Sequence, residues 1–543
     1  MFKKDLGLLV LILVVGTAVA LINQRFLLPG NLSNTANQVG LFGLFSIGEA
    51  FVIITGGIEL SVGSLIALLG TIFIDLIVNH GVNWVFAVAA IVAAGCALGA
   101  VHGLLITAMG LQPFVVTLCG LLIYRGVARY YTQDATAGFG FGASFPSLEW
   151  LTAGRSEIFA PVARFFGYGG PTVAIPHSLI ALLLVAIVAG VILHRSIFGR
   201  YLFAVGKNEE AARYSGINSD RIVVSAYVIC CGLAAVAAIF IAMYTRSISP
   251  AVHGGFYELY AIAAAVLGGC SLRGGEGSIL GVVLGTILLQ VLQNLVNLLG
   301  IPSSLNFAVM GTVILIGVVA DQQFLRYRRR DRRTRTRPVR IPGAGGRGVD
   351  RIERIHVLSG TSLRRLPPSA IGKTSARKAS VPAWIAGAAY VYGSILLNYA
   401  SFGRHVLAIG GNEEAARLMG LPVDKVKFRT YVQSGLFASL AGVILAAQFG
   451  AGQPAEGVGW ELFSIAAVVV GGTLLTGGVG SVATTLAGAL LLGLIFNVLN
   501  FENGLGWISL SAYWQSVVRG VFLMVVVMAG SGAARRAVRT AAA

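Results

Sequence analysis

The chain has 543 residues, of which 56% are hydrophobic and only 11% charged, and its mean hydropathy is +0.81. A water-soluble protein of this length needs far more charge to cover its surface, so this composition excludes the soluble classes. The formal net charge of +18 does not point to nucleic acid, because Lys and Arg collect in the cytoplasmic loops of membrane proteins.

Apolar runs close to the length that crosses a hydrocarbon core of about 30 Å recur along the chain. They fall at 6–22, 39–55, 62–78, 84–109, 115–131 and 177–194, then at 223–243, 261–270, 278–299 and 305–319. The pattern predicts an all-α polytopic membrane protein with about ten spans in residues 1–325. The 261–270 run is short, so it borrows flanking residues to span or is re-entrant. Lys3 and Lys4 precede the first span, and Arg326, Arg328, Arg329 and Arg330 follow the last, which assigns both ends to the cytoplasm. The first run has the basic front of a signal peptide, but the parity of crossings requires it as a retained helix. Cys96, Cys119, Cys230, Cys231 and Cys270 lie in or beside apolar runs without metal-ligand spacing. They read as small buried hydrophobes.

Residues 53–64, IITGGIELSVGS, interrupt a span with Gly56 and Gly57 and carry Glu59 beside Ser61 and Ser64. A carboxylate at membrane depth is costly and marks a functional site, whereas an interfacial loop would leave Glu59 simply solvated. Both readings stand on the sequence. Gln112-Pro113 breaks a helix and reads as a tight turn between antiparallel spans. The lone His102 reads as a packed or interfacial side chain rather than a ligand, and Arg125 either snorkels or holds an outside loop. Residues 132–172 are polar and glycine-rich; Phe139, Phe141 and Trp150 suit a sugar-sized vestibule and an interfacial aromatic belt equally.

The charged stretch 198–217, FGRYLFAVGKNEEAARYSGI, returns at 402–421 as FGRHVLAIGGNEEAARLMGL. Asn208 suits an N-cap for a short helix opening on Glu209 and Glu210, and Gly216 suits a left-handed C-terminal position. Two turns are too few for a stable isolated helix, so docking on a partner would supply what is missing. A second repeat joins 267–285 to 470–486, with Gly268, Gly269, Gly274, Gly275 and Gly277 matching Gly471, Gly472, Gly477, Gly478 and Gly480. It is not a phosphate loop, because no Gly-Lys-Ser/Thr follows.

Residues 326–381 are Arg-rich and lack apolar periodicity, as in a disordered linker or a frameshift product, and anionic lipid would attract them. The PPSAIGKT at 367–374 has Pro367 where a phosphate loop has glycine and is a coincidence. Residues 382–530 then carry about four to five spans, followed by a cytoplasmic tail at 531–543. A single span, 382–398, separates the Arg-rich stretch from the second charged stretch, although charge assigns both to the same side. The second unit thus reads as a C-terminal half without its N-terminal half.

TGGIELSVGS (55–64), LQPFVVTLCGLLIYRG (111–126), AVGKNEEAARYSGI (204–217) and the 267–285 glycine run resemble membrane permease subunits of bacterial sugar ABC importers of the ribose/xylose/galactose type. Residues 1–325 resemble one complete subunit and 382–530 the C-terminal half of a second. The pairing of two different permeases is most similar to the galactofuranose-type importer. The resemblance implies a monosaccharide importer in the bacterial inner membrane, multi-pass, with its N-terminus in the cytoplasm. A periplasmic sugar-binding protein would deliver substrate and a cytoplasmic ATP-binding subunit would hydrolyse ATP. Membrane lipid and a second permease subunit are further expected partners. The chain itself would be no enzyme and bind no cofactor or metal. The resemblance implies ATPase coupling through Asn208, Glu209, Glu210, Ala211, Ala212 and Gly216, and through Asn412, Glu413, Glu414, Ala415, Ala416 and Gly420, with the alanines seated in the ATPase groove. Gly56, Gly57, Glu59, Ser61, Phe114 and Thr117 are the expected substrate-path residues, Glu59 standing where the family has aspartate. The second unit lacks a counterpart of 55–64 and of the QPF segment. The alternative is an ion-coupled secondary transporter, which needs paired ionisable residues within the spans; Glu49, Glu59 and Asp75 are the few on offer.

Overall fold

The structure is a computed structural model. It describes residues 2–140, 144–158, 161, 172–302, 305, 308, 311–312, 315, 381–452, 457, 459–474, 477–505 and 511–542. The protein is all-α, and among the described residues nine helices are long and apolar enough to cross a membrane. The predicted run 305–319 falls largely outside the described residues, as do Phe141 and 326–380.

The first part comprises α1 (Phe2–Ile22), α2 (Pro29–Ile54), α3 (Val62–Val78), α4 (Trp84–Thr107), α5 (Pro113–Thr132), α6 (Pro146–Ala153), α7 (His177–Arg195), α8 (Ile197–Lys207), α9 (Glu209–Tyr214), α10 (Ser219–Thr245), α11 (Tyr257–Leu267) and α12 (Ile279–Leu298). Then follow α13 (Val381–Asn398), α14 (Ser401–Gly411), α15 (Glu413–Leu418), α16 (Val423–Phe449), α17 (Trp460–Val470), α18 (Val482–Leu505) and α19 (Ala512–Ala542). Four two-residue strands form two antiparallel pairs, Ala137–Gly138 with Ser247–Ile248 and Arg155–Ser156 with Ile175–Pro176.

Helix α2 begins with Pro29 in its first turn, well before the apolar run at 39–55. The early turns are polar, and neighbouring elements satisfy them. Asn31 and Asn294 exchange amide hydrogen bonds of 3.1 and 2.8 Å, Ser33 donates to Ala174 O at 2.7 Å, and Ser178 donates to Asn37 Oδ1 at 2.7 Å. Pairing of this kind makes a polar helix start tolerable inside an apolar bundle.

Helices α4 and α10 meet along Gly95, Gly99 and Gly103, which share one face at four-residue spacing. A Cβ on these glycines would fall 2.7 Å from Cys231 O, 2.4 Å from Tyr227 O and 2.6 Å from Val224 Cα. Only small residues let two backbones approach so closely. The contact places His102, one residue from this face, near Tyr227 and Cys231.

By contact the chain forms two compact units, one of Met1–Leu315, Trp460–Val470 and Gly488–Ala543, the other of Ile316–Gly459 and Gly471–Ala487. This division cuts across the repeat in sequence, because α17 and α19 of the second copy pack with the first unit. In the other unit, Ile409, Ala416, Val423 and Val426 form a small core under α15.

Candidate functional site

Asn208 Oδ1 accepts the Ala211 amide at 2.9 Å and so caps α9, and Gly216 takes φ +81° to end it. The second copy repeats this arrangement: Asn412 Oδ1 accepts the Ala415 amide at 2.9 Å, and Gly420 has φ +82°. Glu209 turns along the helix to Arg213 at 2.9 Å, and Arg213 reaches Asp220 at 2.5 Å. Glu413 likewise meets Arg417 at 3.4 Å and Lys427 at 2.7 Å. These bonds fix each short helix to the start of the long helix that follows.

The expectation that all the alanines face outward is corrected. Ala212 and Ala416 are buried, Ala212 within the large core of the first unit and Ala416 with Ile409, Val423 and Val426 in the second copy. Helical geometry requires this: a short amphipathic helix must bury one face to stay seated, and the alanine four residues after the Asn cap lies on it. The outward face carries Glu210, Ala211 and Tyr214, the last 91% exposed. In the second copy Glu414, Leu418 and Met419 are exposed, Leu418 to 84%. The sequence reading missed Tyr214 and Leu418; their spacing of four from Glu210 and Glu414 was the available signal.

The glycine turn between α11 and α12 packs on the end of α8. A Cβ on Gly206 would lie 1.8 Å from Ile54 O and 2.6 Å from the Gly275 nitrogen. The Gly275 amide donates to Ile54 O at 2.8 Å. Gly274 and Gly275 take φ +80° and +73° to make that approach. Ile54 is the last residue of α2, directly before the broken segment, so the charged helix, the glycine turn and the break form one continuous packed track. In the second copy Gly410 meets Gly477 and Gly478 in the same way.

Within the break, 55–61, Gly57 and the stretch from Glu59 to Ser61 are buried, whereas Gly56 is exposed and Thr55 and Ile58 are half-buried. Glu59, Ser61 and Thr117 are fully buried and Phe114 is 8% exposed. Glu59 Oε1 accepts from the Ser61 hydroxyl at 2.6 Å and the Ser61 amide at 2.8 Å. Its Oε2 lies 2.8 Å from His102 Nδ1, and His102 Nε2 lies 2.8 Å from the Tyr124 hydroxyl. Glu49 Oε1 accepts the Glu59 amide at 3.1 Å, and Thr117 and Tyr227 both donate to Ile58 O at 3.3 Å. Cys231 Sγ lies 3.9 Å from Glu59 Oε2. His102, Tyr124 and Tyr227 therefore belong to the site, which the sequence reading missed because their partners lie far away along the chain.

Glu59, His102 and Cys231 each offer a ligand atom within 4.8 Å of the others. Yet Nδ1 of His102 already binds the carboxylate and Nε2 already binds Tyr124, so the arrangement is a satisfied hydrogen-bond network rather than a metal cradle. Two cavities are described. One of about 420 Å³ lies between Asp5, His194, Phe203 and the glycine turn. The other, of about 200 Å³, is lined by Thr71, Asp75, Asn79, Tyr131 and Thr132 among others. Neither is lined by Gly56, Gly57, Glu59, Ser61, Phe114 or Thr117. Arg125 donates to Pro250 O at 2.7 Å and His253 O at 2.6 Å, so it holds the loop after α10.

The sequence profile of the family described as "Branched-chain amino acid transport system / permease component" matches residues 31–318 and again 349–527. The chain is 38% identical to the ribose import permease protein RbsC of Escherichia coli strain K12 over 321 residues, 59% of this chain and 93% of that protein. It is 37% identical to the ribose import permease protein RbsC of Bacillus subtilis strain 168 over 319 residues, 59% and 91% of the two chains. It is 30% identical to the D-allose transport system permease protein AlsC of E. coli K12 over 316 residues, 58% and 90%. No solved structure matches the chain. The profile match to both copies, together with these relatives matched over nearly their whole length, establishes that the chain belongs to this permease family: it is a multi-pass membrane permease of the sugar ABC importer kind and not an enzyme.

Proposed function

We propose that this chain is the permease of an ATP-driven monosaccharide importer of the bacterial inner membrane, with its N-terminus and both charged helices in the cytoplasm. A cytoplasmic ATP-binding subunit docks on α9 through Glu210, Ala211 and Tyr214, and on α15 through Glu414, Ala415 and Leu418. Asn208 and Gly216, with Asn412 and Gly420, shape those helices; Glu209 and Glu413 brace them. A periplasmic sugar-binding protein delivers substrate to the opposite side. Gly56, Gly57, Glu59, Ser61, Phe114 and Thr117 line the sugar path. The residues divide as 1–325 for the complete unit, 326–381 for the linker and 382–530 for the partial second unit.

The observation that carries the reading is the packed track from α9 through Gly206 and Gly275 to Ile54, because it gives a push at the charged helix a direct route to the break in α2. Close-packed elements transmit displacement rather than absorb it. The test is uptake of radiolabelled ribose and allose by vesicles holding this chain, its ATP-binding subunit and its binding protein. Gly206→Leu, which cannot fit beside Ile54, is expected to abolish uptake while ATP-binding-subunit docking persists. Undiminished uptake would sink the reading.

One observation favours the ion-coupled alternative: the Glu59 carboxyl and the His102 imidazole form a buried pair of ionisable side chains of the kind such a transporter requires. A protonophore separates the two readings. An ATP-driven importer keeps its uptake when the proton gradient is collapsed and ATP is held constant; an ion-coupled one loses it.

A further inference from the structure

Helix α19 belongs to the second copy. Residues 520–529, GVFLMVVVMA, realign with 311–320 of the first copy, GTVILIGVVA. In the structure this helix lies antiparallel along α5. A Cβ on Gly520 would fall 2.8 Å from Ile123 and 3.0 Å from Cys119 O, and one on Gly126 would fall 2.6 Å from Val517 and 2.8 Å from Tyr513 O. Each helix thus offers a glycine to the other's bulk, the packing that brings membrane helices together. At one end Tyr130 and Trp514 rings sit 4.9 Å apart and the Arg129 guanidinium lies 5.2 Å from the Tyr513 ring. At the other, Leu523 joins Phe114, Val115 and Leu118 with Leu60, Ala466 and Val469 in one core. Contact therefore reaches the residue beside Glu59.

We infer that this contact is a subunit interface carried within one chain: the face of α5 from Cys119 to Tyr130 is where a permease unit receives the last helix of another unit, and the second copy supplies that helix in cis. A two-fold pair of equal units makes such a contact twice, each unit giving one helix and receiving one. This chain can make it once, because the second copy retains the helix that is given and lacks any counterpart of α5. Retaining α17 to α19 without an N-terminal half then has a physical purpose: the retained part covers the apolar face of α5 and backs the broken segment at Leu60. A separately encoded permease subunit has no access to this face while α19 occupies it.

The test uses the full chain in membranes, carrying Tyr130→Cys and Trp514→Cys, with a protease site inserted within 326–380. A second variant carries Ala137→Cys and Ile248→Cys, directly paired strand residues, as the positive reference for a folded first unit. After mild oxidation and cleavage, the cis interface keeps the first variant at full-chain mass without reductant, and reductant splits it into two fragments. The same oxidised sample is also run before cleavage, where a band at twice the chain mass overturns the inference, since the helix then comes from another copy. Two free fragments, with the reference pair cross-linked, overturn it as well.

Discussion

Glu59 and His102, 43 positions apart, meet at 2.8 Å with both side chains sealed from solvent. The contact pins the broken segment after α2 to α4, and through Tyr124 to α5. Removing the carboxylate would leave the imidazole facing a dry hole and would also cost Ser61 its acceptor. Leaving a buried group without its hydrogen-bond partner costs about 1–3 kcal/mol. Glu59→Ala is therefore expected to lower the thermal midpoint in detergent sharply, whereas Glu59→Gln, which keeps the volume and one acceptor, is expected to lower it less. Adding His102→Leu and Tyr124→Phe to Glu59→Ala should recover part of the loss, because neither the imidazole nor the phenol is then stranded and Ser61 alone still lacks its acceptor. A Glu59→Ala protein as stable as the parent would show that the pair does not hold the segment.

The two faces of α9 should respond differently to substitution. Tyr214→Ala and Leu418→Ala alter exposed side chains, so stability should stay within about 0.5 kcal/mol while stimulation of the ATP-binding subunit falls several-fold. Ala212→Leu forces bulk into a filled core and should cost about 1–3 kcal/mol. Thermal unfolding and ATPase stimulation, measured on the same preparations, separate the two effects. If Ala212→Leu spared stability and abolished stimulation, the orientation of α9 would be wrong.

The all-α membrane class was legible because long apolar runs record the solvent they face. The capped helix at Glu209–Tyr214 was legible because Asn208, Glu209, Glu210 and Gly216 act through local geometry. What stayed hidden depended on distant partners. His102 looks solitary in sequence, and only the Gly95, Gly99 and Gly103 face, which brings α4 onto α10, and the turn at Pro113, which brings α5 back, give it Glu59 and Tyr124. The inward turn of Ala212 was hidden for a similar reason: a two-turn helix is too short to display the period that tells its faces apart. The union of α19 with α5 was invisible because a glycine in an apolar run announces close packing but not with what.

The glycine turn gives a sharper test of the packed track. A Cβ on Gly275 would lie 2.9 Å from Lys207 N and Cα, and the residue's φ of +73° is strained for any side chain. Gly81, left-handed too at φ +61° and in the loop between α3 and α4, has open space around it. Gly81→Ala should cost about 1 kcal/mol from backbone strain alone. Gly275→Ala should cost more and should also reduce uptake at equal protein level. Equal effects of the two on uptake would mean that the turn does not relay motion from α8 to α2.

Acid should weaken the loop that follows α5. The Glu149 carboxyl is held below the usual carboxylate range, first by its hydrogen bond from Arg246 and further by the Phe145 amide. A carboxyl depressed on folding contributes stability that is fully present above its unfolded pKa and is lost as pH falls through the folded value. Both side chains are partly solvent-exposed, so the contribution is below about 1 kcal/mol. Thermal midpoints of the parent should therefore decline as pH drops from about 6 to about 3. Glu149→Gln should begin with a slightly lower midpoint at neutral pH and lose less of it over the same range, so that the two curves converge in acid. Asp134, depressed in the same way by Arg129, still titrates in both proteins and gives them a common residual slope. Parallel curves that never converge would show that Glu149 does not carry the effect.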